Sequence, residues 1–176
     1  MTMTREPERL CWLQAKMAAA EVDLAAIGPT VNMRYLLGFT PPAIERLCIL
    51  LVSREDKCLI SPALHAAEML EQTGLETIDW TDAEGPSQAI AKGLDVLGTP
   101  KGGILAVDET MRADAFLLLQ EIASPRKSMS ISPMMSALRM CKSEAEVEAL
   151  ARSAAQADRA LKVGAEGCRP GVTERE

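Results

Sequence analysis

The stretch RLCILLVSREDKCLIS, residues 46–61, decides the fold class. Its first half, Arg46–Ser53, is almost continuously aliphatic, which is typical of a strand that is covered on both faces of its sheet. Residues 54–56 are polar and predict a turn, and Lys57–Ser61 predicts a returning strand. The stretch therefore predicts a local hairpin inside a sheet with helices on both sides.

Strands and helices alternate along the rest of the first 137 residues. We predict helices over residues 6–21, 61–73, 86–97 and 113–123, and strands over residues 24–27, 76–80, 104–107 and 128–132. The apolar residues of the helix over 113–123 predict that it is well buried. Alternation with one hairpin predicts a three-layer α/β domain with a mixed β-sheet and helices on both faces.

Residues 138–176 have a different pattern. Ser143 and Glu146 form the S-x-x-E signature of a capping box and predict a helix start. Apolar residues then recur three and four positions apart, at Val147, Leu150, Ala154, Ala157, Leu161 and Ala165, and predict one helical face. Glu148 and Arg152 are spaced for an i,i+4 ion pair, and Gly167 predicts the helix end.

A second T-x-x-E signature, Thr173 to Glu176, predicts another helix start at the last residues of the sequence. We interpret this as a chain divided at a domain boundary. The predicted organisation is an α/β domain over residues 1–137, followed over residues 138–176 by a linker helix and the start of a second domain.

Composition excludes several classes of protein. The 176 residues are 48% apolar and only 3% aromatic, so the core must be aliphatic. The net charge is −6 and no basic run occurs, which argues against nucleic-acid binding and against an anionic membrane surface. Residues 1–25 lack the apolar core of a signal peptide, and the longest apolar run, residues 47–52, is too short to span a bilayer.

The five cysteines, Cys11, Cys48, Cys58, Cys141 and Cys168, are odd in number and widely spaced, and they form no C-x-x-C pair. Reduced, buried thiols explain this pattern better than a disulfide framework or a zinc site. It is the pattern of a cytoplasmic protein.

No catalytic or cofactor-binding constellation is recognisable. His65 is the single histidine, and no H-E-x-x-H, G-x-S-x-G, Walker A or G-x-G-x-x-G motif is present. A Ser/His or Cys/His mechanism would have to use His65, which is more simply a structural side chain. We therefore predict no catalytic, cofactor-binding or metal-binding residue within these 176 residues.

Four short motifs nevertheless occur in a familiar order. NMRYLLGF (32–39), LAVD (105–108), LRMCKSEAEV (138–147) and PGVTE (170–174) resemble motifs of the creatinase / Xaa-Pro peptidase family, which includes prolidase and aminopeptidase P. The resemblance implies an N-terminal α/β domain. In the family this domain precedes a "pita-bread" catalytic domain that binds two divalent metals, Mn, Co or Zn, through two Asp, one His and two Glu. In family order, all those ligands would follow Glu176.

The resemblance also implies a role for the segment after the GF of NMRYLLGF. In family members this segment reaches the active site of the partner subunit in a homodimer, which implies Phe39, Ile44 and Arg46 as substrate contacts in trans. The alternative is structural, with Arg46 at a strand entrance, Asn32 capping a turn, Tyr35 and Phe39 anchoring it, and Gly38 at positive φ. Few aromatics occur in this segment, which argues against creatine as the substrate.

The sequence favours a non-catalytic N-terminal domain of a Xaa-Pro peptidase-like metallohydrolase. Its expected roles are dimerisation and shaping of the partner's active-site entrance. Its expected partners are its own catalytic domain, a second subunit and a peptide or small-molecule substrate. Two alternatives stay open: the same domain of a creatinase-like amidinohydrolase or of a lyase acting on a sulfonium substrate, and a small free-standing enzyme.

Overall fold

A computed structural model describes residues 6–173, and these residues form two compact units that divide after Leu138. The helices are α1 (Glu6–Ala19), α2 (Val31–Leu37), α3 (Ala66–Thr73), α4 (Ser87–Val96), α5 (Ala113–Ala123), α6 (Ser132–Met140) and α7 (Glu144–Gly167). The strands are β1 (Leu24–Ile27), β2 (Ile49–Ser53), β3 (Lys57–Pro62), β4 (Thr77–Trp80), β5 (Ile104–Val107) and β6 (Lys127–Ser130).

The six strands form one mixed sheet in the order β4-β3-β2-β1-β5-β6. Strand β2 is antiparallel to both of its neighbours, whereas β1 with β5, β5 with β6 and β3 with β4 are parallel pairs. The predicted hairpin is confirmed, since Leu51 lies opposite Cys58 and the Ser53 hydroxyl accepts the backbone N–H of Asp56 in the turn at 3.0 Å.

Side chains of the central strands alternate between two hydrophobic clusters, one on each face of the sheet. Ala25 and Ile27 face one cluster with residues of α1, α2, α3 and α6, whereas Leu24 and Ala26 face the other with residues of α4 and α5. This is the period-two alternation of a pleated strand. The prediction of a three-layer α/β domain with a mixed sheet is confirmed.

The helix predicted from Ser61 is wrong in its first turn. Ser61 and Pro62 complete β3, where Pro62 lies opposite Trp80 of β4, and α3 begins at Ala66 after a 3₁₀ turn. A Ser-Pro pair fits a helix start and an extended strand end equally well, because proline fixes only φ. Parallel pairing with β4 selects the strand.

Three smaller expectations also need correction. Strand β2 begins at Ile49 rather than Arg46. Helix α5 has the predicted bounds but is not well buried, since only Leu119 is fully buried and Leu117 is 61% exposed. The strand predicted to run to Ser132 ends at Ser130, and Ser132 instead begins the nine-residue helix α6.

Helix α7, in the second unit, begins as the sequence predicts. Ser143 accepts the backbone N–H of Glu146, and the Glu146 carboxylate accepts that of Ser143, which completes the capping box. Glu148 and Arg152 form the predicted ion pair at 3.7 Å, and the helix ends at Gly167. The second capping signature, residues 173–176, lies largely outside the described residues. None of the described helices is both long and apolar enough to cross a bilayer.

Candidate functional site

The candidate site lies at the edge of the sheet where five strands end. Strands β1, β3, β4, β5 and β6 run in the same direction, so their carboxyl ends meet at this edge, together with the amino end of the opposed β2. Ligands of open α/β sheets bind outside the carboxyl ends of strands. The segment from Phe39 to Cys48, which leads into β2, crosses this edge and contains the three predicted substrate contacts.

Arg46 is paired within the domain. Its guanidinium donates to both carboxylate oxygens of Asp82, with Nε–Oδ1 at 3.0 Å and Nη2–Oδ2 at 2.7 Å, and Nη1 donates to Glu45 at 3.2 Å. The hydrogen bond from Arg46 holds the pKa of Asp82 below its usual value. Arg46 thus already binds one carboxylate in the two-point geometry that a substrate carboxylate would use.

A second Arg–Asp pair lies beside the first. Arg112 donates to Asp114 at 2.6 and 3.0 Å, and its Nη1 donates to the backbone oxygen of Ile44 at 3.4 Å. The hydrogen bond from Arg112 lowers the pKa of Asp114 to about 2. Because Arg112 contacts Ile44, the loop after β5 positions the segment before β2.

Between these pairs is a cleft of about 190 Å³. Its lining is mostly apolar and includes Ile44, Leu47, Trp80, Met111 and Leu118, while Arg46, Arg112, Glu45 and Asp114 supply its charges. The indole N–H of Trp80 donates to the backbone oxygen of Leu47 at 2.9 Å and fixes one wall. An apolar cleft with a few fixed charges is suited to a small amphipathic ligand.

Phe39 does not belong to this cleft. It is half-buried against the cluster that contains α1 and α2, and it lines a separate surface depression with Leu10, Leu37 and Leu75. The structure therefore brings two of the three predicted contacts, Ile44 and Arg46, together in one cleft and places Phe39 elsewhere. Gly38 adopts the predicted positive φ, 74°, at the end of α2.

Asn32 does not cap a turn as expected. Thr30 is the N-cap of α2: its hydroxyl accepts the backbone N–H of Asn32 at 3.1 Å and donates to Asp108 Oδ2 at 2.5 Å. The side-chain amide of Asn32 donates to the same oxygen at 3.3 Å. The other carboxylate oxygen of Asp108, Oδ1, accepts hydrogen bonds from the backbone N–H and the hydroxyl of Thr110. Two of the four sequence motifs thus meet in one buried network.

The cysteines only partly match the sequence prediction. All five are free, but only Cys48 and Cys58 are buried, while Cys11, Cys141 and Cys168 are exposed. Burial raises the pKa of both buried thiols to about 12. Such thiols stay protonated at neutral pH and are poor nucleophiles.

His65 lies after β3 and has no nucleophile among its described partners. Its Nδ1 is 3.7 Å from the Glu68 carboxylate, and its Nε2 is buried without a hydrogen-bond partner within the described residues. In residues 6–173, no group of three or more His, Cys, Asp and Glu side chains is placed to hold a metal ion.

The partners of the site residues are not predictable from local sequence patterns. Arg112 and Asp114 line the cleft, Asp82 pairs with Arg46 of its lining, and Thr30 connects Asn32 to Asp108. No local pattern marks these contacts, because Asp82 is 36 residues from Arg46 and Asp108 is 76 residues from Asn32. The only sequence feature that could have indicated these contacts is that the residues follow the carboxyl ends of predicted parallel strands.

Comparison with known proteins gives a consistent family assignment. Residues 9–141 match the family described as Creatinase/Prolidase N-terminal domain. A Xaa-Pro dipeptidase of Lactobacillus helveticus is 27% identical over 167 residues, which are 93% of this chain and 45% of that protein.

Solved structures agree with this match. A recombinant prolidase from Thermococcus sibiricus superposes with a TM-score of 0.87 and 30% identity, over 100% of this chain and 48% of that one. A Creatinase/Prolidase N-terminal domain of an X-Pro dipeptidase from Streptococcus pyogenes shares the fold, with a TM-score of 0.65 over 74% of this chain. The chain thus spans about half the length of the curated relatives it matches.

Proposed function

Because the chain belongs to the Creatinase/Prolidase N-terminal domain family, we propose that it serves as the non-catalytic N-terminal domain of a Xaa-Pro peptidase-like protein. The observation that carries this proposal is coverage: more than nine-tenths of the chain matches less than half of a Xaa-Pro dipeptidase. Its roles are to form a homodimer and to shape the entrance to the partner subunit's active site. It acts in the cytoplasm, where its three exposed thiols stay reduced.

The chemistry would be done outside these 176 residues. A peptidase of this kind uses metal ions to activate water and polarise the scissile carbonyl. The carboxylates around the cleft are already paired with Arg46 and Arg112, which leaves them poorly suited to bind a metal. We therefore expect no turnover of a Xaa-Pro dipeptide by the 176-residue chain, with or without Mn²⁺. Turnover above a no-protein control, retained through a second purification scheme, would overturn this proposal.

The cleft is the part of the domain proposed to contact substrate. Ile44 gives an apolar surface and Arg46 gives a guanidinium that is one-third exposed. A substrate carboxylate has the same charge and shape as the carboxylate of Asp82, so it can replace Asp82 on Arg46 and keep the guanidinium paired. Asp82 remains exposed to water when this exchange takes place, so its release costs little.

A chimera tests this role. Residues 1–176 replace the matching part of the Thermococcus sibiricus prolidase, and the kinetics of Xaa-Pro dipeptide hydrolysis are measured. Arg46→Ala should lower kcat/KM by about tenfold to a hundredfold, as expected for a lost charged hydrogen bond. Asp82→Ala should instead lower KM, because it removes the internal competitor for the guanidinium.

The matched control is Arg54→Ala. Arg54 pairs with Asp23 at 2.9 Å at the opposite edge of the sheet, so its loss removes a similar ion pair away from the cleft. This control should leave kcat/KM unchanged. Normal kinetics for Arg46→Ala would remove Arg46 from the substrate-contact proposal, while an inactive unsubstituted chimera with intact helical content would count against the family role itself.

A further inference from the structure

A second cleft, of about 310 Å³, opens at the edge of the sheet opposite the candidate site. It lies where the parallel strands β1 and β5 begin, and helices α4 and α5 form its two sides. All its lining residues fall between Asp23 and Pro125, so they belong to the α/β unit and to the stretch that matches the family. Its volume is near the lower end of the range for ligand sites and suits a small molecule.

The floor of this cleft is aliphatic. Half-buried side chains from three elements meet there: Leu94 of α4, Ile104 of β5 and Ile122 of α5. A ligand with a branched aliphatic group would remove this surface from water, and such burial is favourable in proportion to the apolar area covered. The floor therefore favours an aliphatic ligand over a polar one.

The wall beside β5 is held in place by contacts within the domain. The Asp23 carboxylate accepts the backbone N–H of Ile104 at 2.8 Å and pairs with Arg54 at 2.9 Å, so it is already satisfied. Gly103 makes this approach possible, because a Cβ at that position would lie 3.0 Å from the side chain of Asp23. A wall fixed in this way loses little conformational freedom when a ligand binds.

Two opposite charges at the cleft are left without a partner. Within residues 6–173, the side chains of Asp95 and Lys101 form no described hydrogen bond or ion pair. Asp95 is in the last turn of α4, which contains no basic residue. A carboxylate there opposes the negative end of the helix dipole and destabilises the helix unless a cation binds beside it.

We propose that this cleft binds a free aliphatic amino acid. Asp95 and the carboxyl end of α4 attract the ammonium group, Lys101 pairs with the carboxylate, and the side chain packs on the aliphatic floor. A zwitterion satisfies both unpaired charges at once, whereas a ligand with one charge satisfies only one. The site is separate from the cleft of Arg46 and Arg112, so it does not depend on the proposed function.

Titration with L-leucine tests the site. Leucine should shift the amide NMR signals of residues 94–105 and 122–124 with a Kd of about 1 mM, and it should leave those of residues 44–47 unchanged. Three analogues each lack one recognised group: isopentylamine lacks the carboxylate, isocaproate lacks the ammonium and glycine lacks the side chain. Each analogue should bind at least about fivefold more weakly than leucine.

Two substitutions assign the charges. Asp95→Asn should weaken leucine binding by about fivefold to tenfold and leave isocaproate binding unchanged, since isocaproate has no ammonium group. It should also raise the unfolding midpoint, because it removes an unfavourable charge from the end of α4, whereas a purely structural Asp95 would give a lower midpoint. Lys101→Gln should weaken leucine and isocaproate alike. Lys92→Gln is the matched control, at an exposed lysine of α4 that does not line the cleft.

The absence of amide shifts at leucine concentrations up to about 20 mM would overturn the proposal. So would glycine binding as tightly as leucine, or equal effects of Lys101→Gln and Lys92→Gln. The titration is repeated with the chimera, and loss of leucine binding there would also overturn the proposal, because it would mean that the rest of the protein covers the cleft. Binding is measured without turnover, so the result is independent of the kinetic test of Arg46.

Discussion

The α/β unit, residues 6–138, and helix α7 are stabilised by different interactions. The unit has two hydrophobic clusters, one on each face of its sheet, and a buried carboxylate, Asp108, with four described donors. Helix α7 has no buried residue, and its described stabilising contacts are the capping box and one exposed ion pair. Local signals are therefore sufficient to specify α7, whereas the unit depends on contacts between residues distant in sequence.

The largest effect is expected at Asp108, which is 2% exposed. Asp108→Ala removes the buried carboxylate that accepts from the Asn32 amide and from the Thr30 and Thr110 hydroxyls, so the free energy of unfolding should fall by about 3 kcal/mol. Denaturant unfolding measures this change. Asp114→Ala, at an exposed aspartate of the same sheet edge, is the control and should leave the midpoint nearly unchanged. Equal effects of the two substitutions would show that burial is not what matters at Asp108.

Much of the α/β unit can be predicted from its sequence because its elements carry local signals. Strand β5 and helix α5 have the predicted bounds, since an aliphatic run and a long apolar helical pattern are unambiguous. The Ser61–Pro62 error arises because strand pairing with β4 is a long-range contact. The same limit applies to the site: Arg46 is visible in the sequence, but its partner Asp82 is defined only by the fold.

The second largest difference between the two regions is expected in the reactivity of their thiols. Cys48 and Cys58 are buried in the unit, and burial raises their pKa to about 12, whereas Cys141 and Cys168 are exposed. At pH 8 a disulfide reagent should react with the buried pair at least about 100-fold more slowly than with the exposed pair. Unfolding in guanidinium should make all rates similar, and rapid native-state reaction at Cys58 would contradict the described burial.

The same thiols give a pH dependence at alkaline pH. Their ordinary pKa is 9.0 and folding raises it, so the folded state binds the proton more tightly than the unfolded state. The resulting stability is present below pH 9 and is lost as pH rises towards 12. Cys48→Ser and Cys58→Ser should each reduce the fall in unfolding free energy over this range.

A pair of valine substitutions compares packing directly. Val52 in β2 is fully buried, so Val52→Ala should lower the free energy of unfolding by about 2 kcal/mol through lost apolar burial and a cavity. Val163 in α7 is 70% exposed, and Val163→Ala should cost nothing because alanine favours helix. Circular dichroism during denaturant unfolding measures both. A loss of similar size at Val163 would mean that this side of α7 is packed.

The capping box should affect α7 alone. Ser143→Ala removes the acceptor for the Glu146 N–H and should destabilise the helix start by about 1 kcal/mol. Amide exchange should speed up in the first turns of α7 and stay unchanged in β2. Ser153→Ala makes the same substitution in the exposed middle of the helix and should not accelerate exchange. Faster exchange in β2 after Ser143→Ala would show that the two regions do not unfold independently.

The smallest effect on stability is expected at the Arg46–Asp82 pair, although Arg46 is where the largest effect on chimera kinetics is proposed. Both groups are solvated, so their attraction is screened by water and salt. Arg46 lowers the pKa of Asp82 from 3.8, so the pair stabilises the fold above that pH and stops doing so as pH falls below it. Unfolding midpoints of wild type and Asp82→Asn should therefore differ slightly at pH 6, and this difference should shrink as pH falls below 3.8. A difference at pH 6 as large as that of Asp108→Ala would make Arg46 a structural residue of the strand entrance, because a guanidinium held that firmly could not exchange Asp82 for a substrate carboxylate.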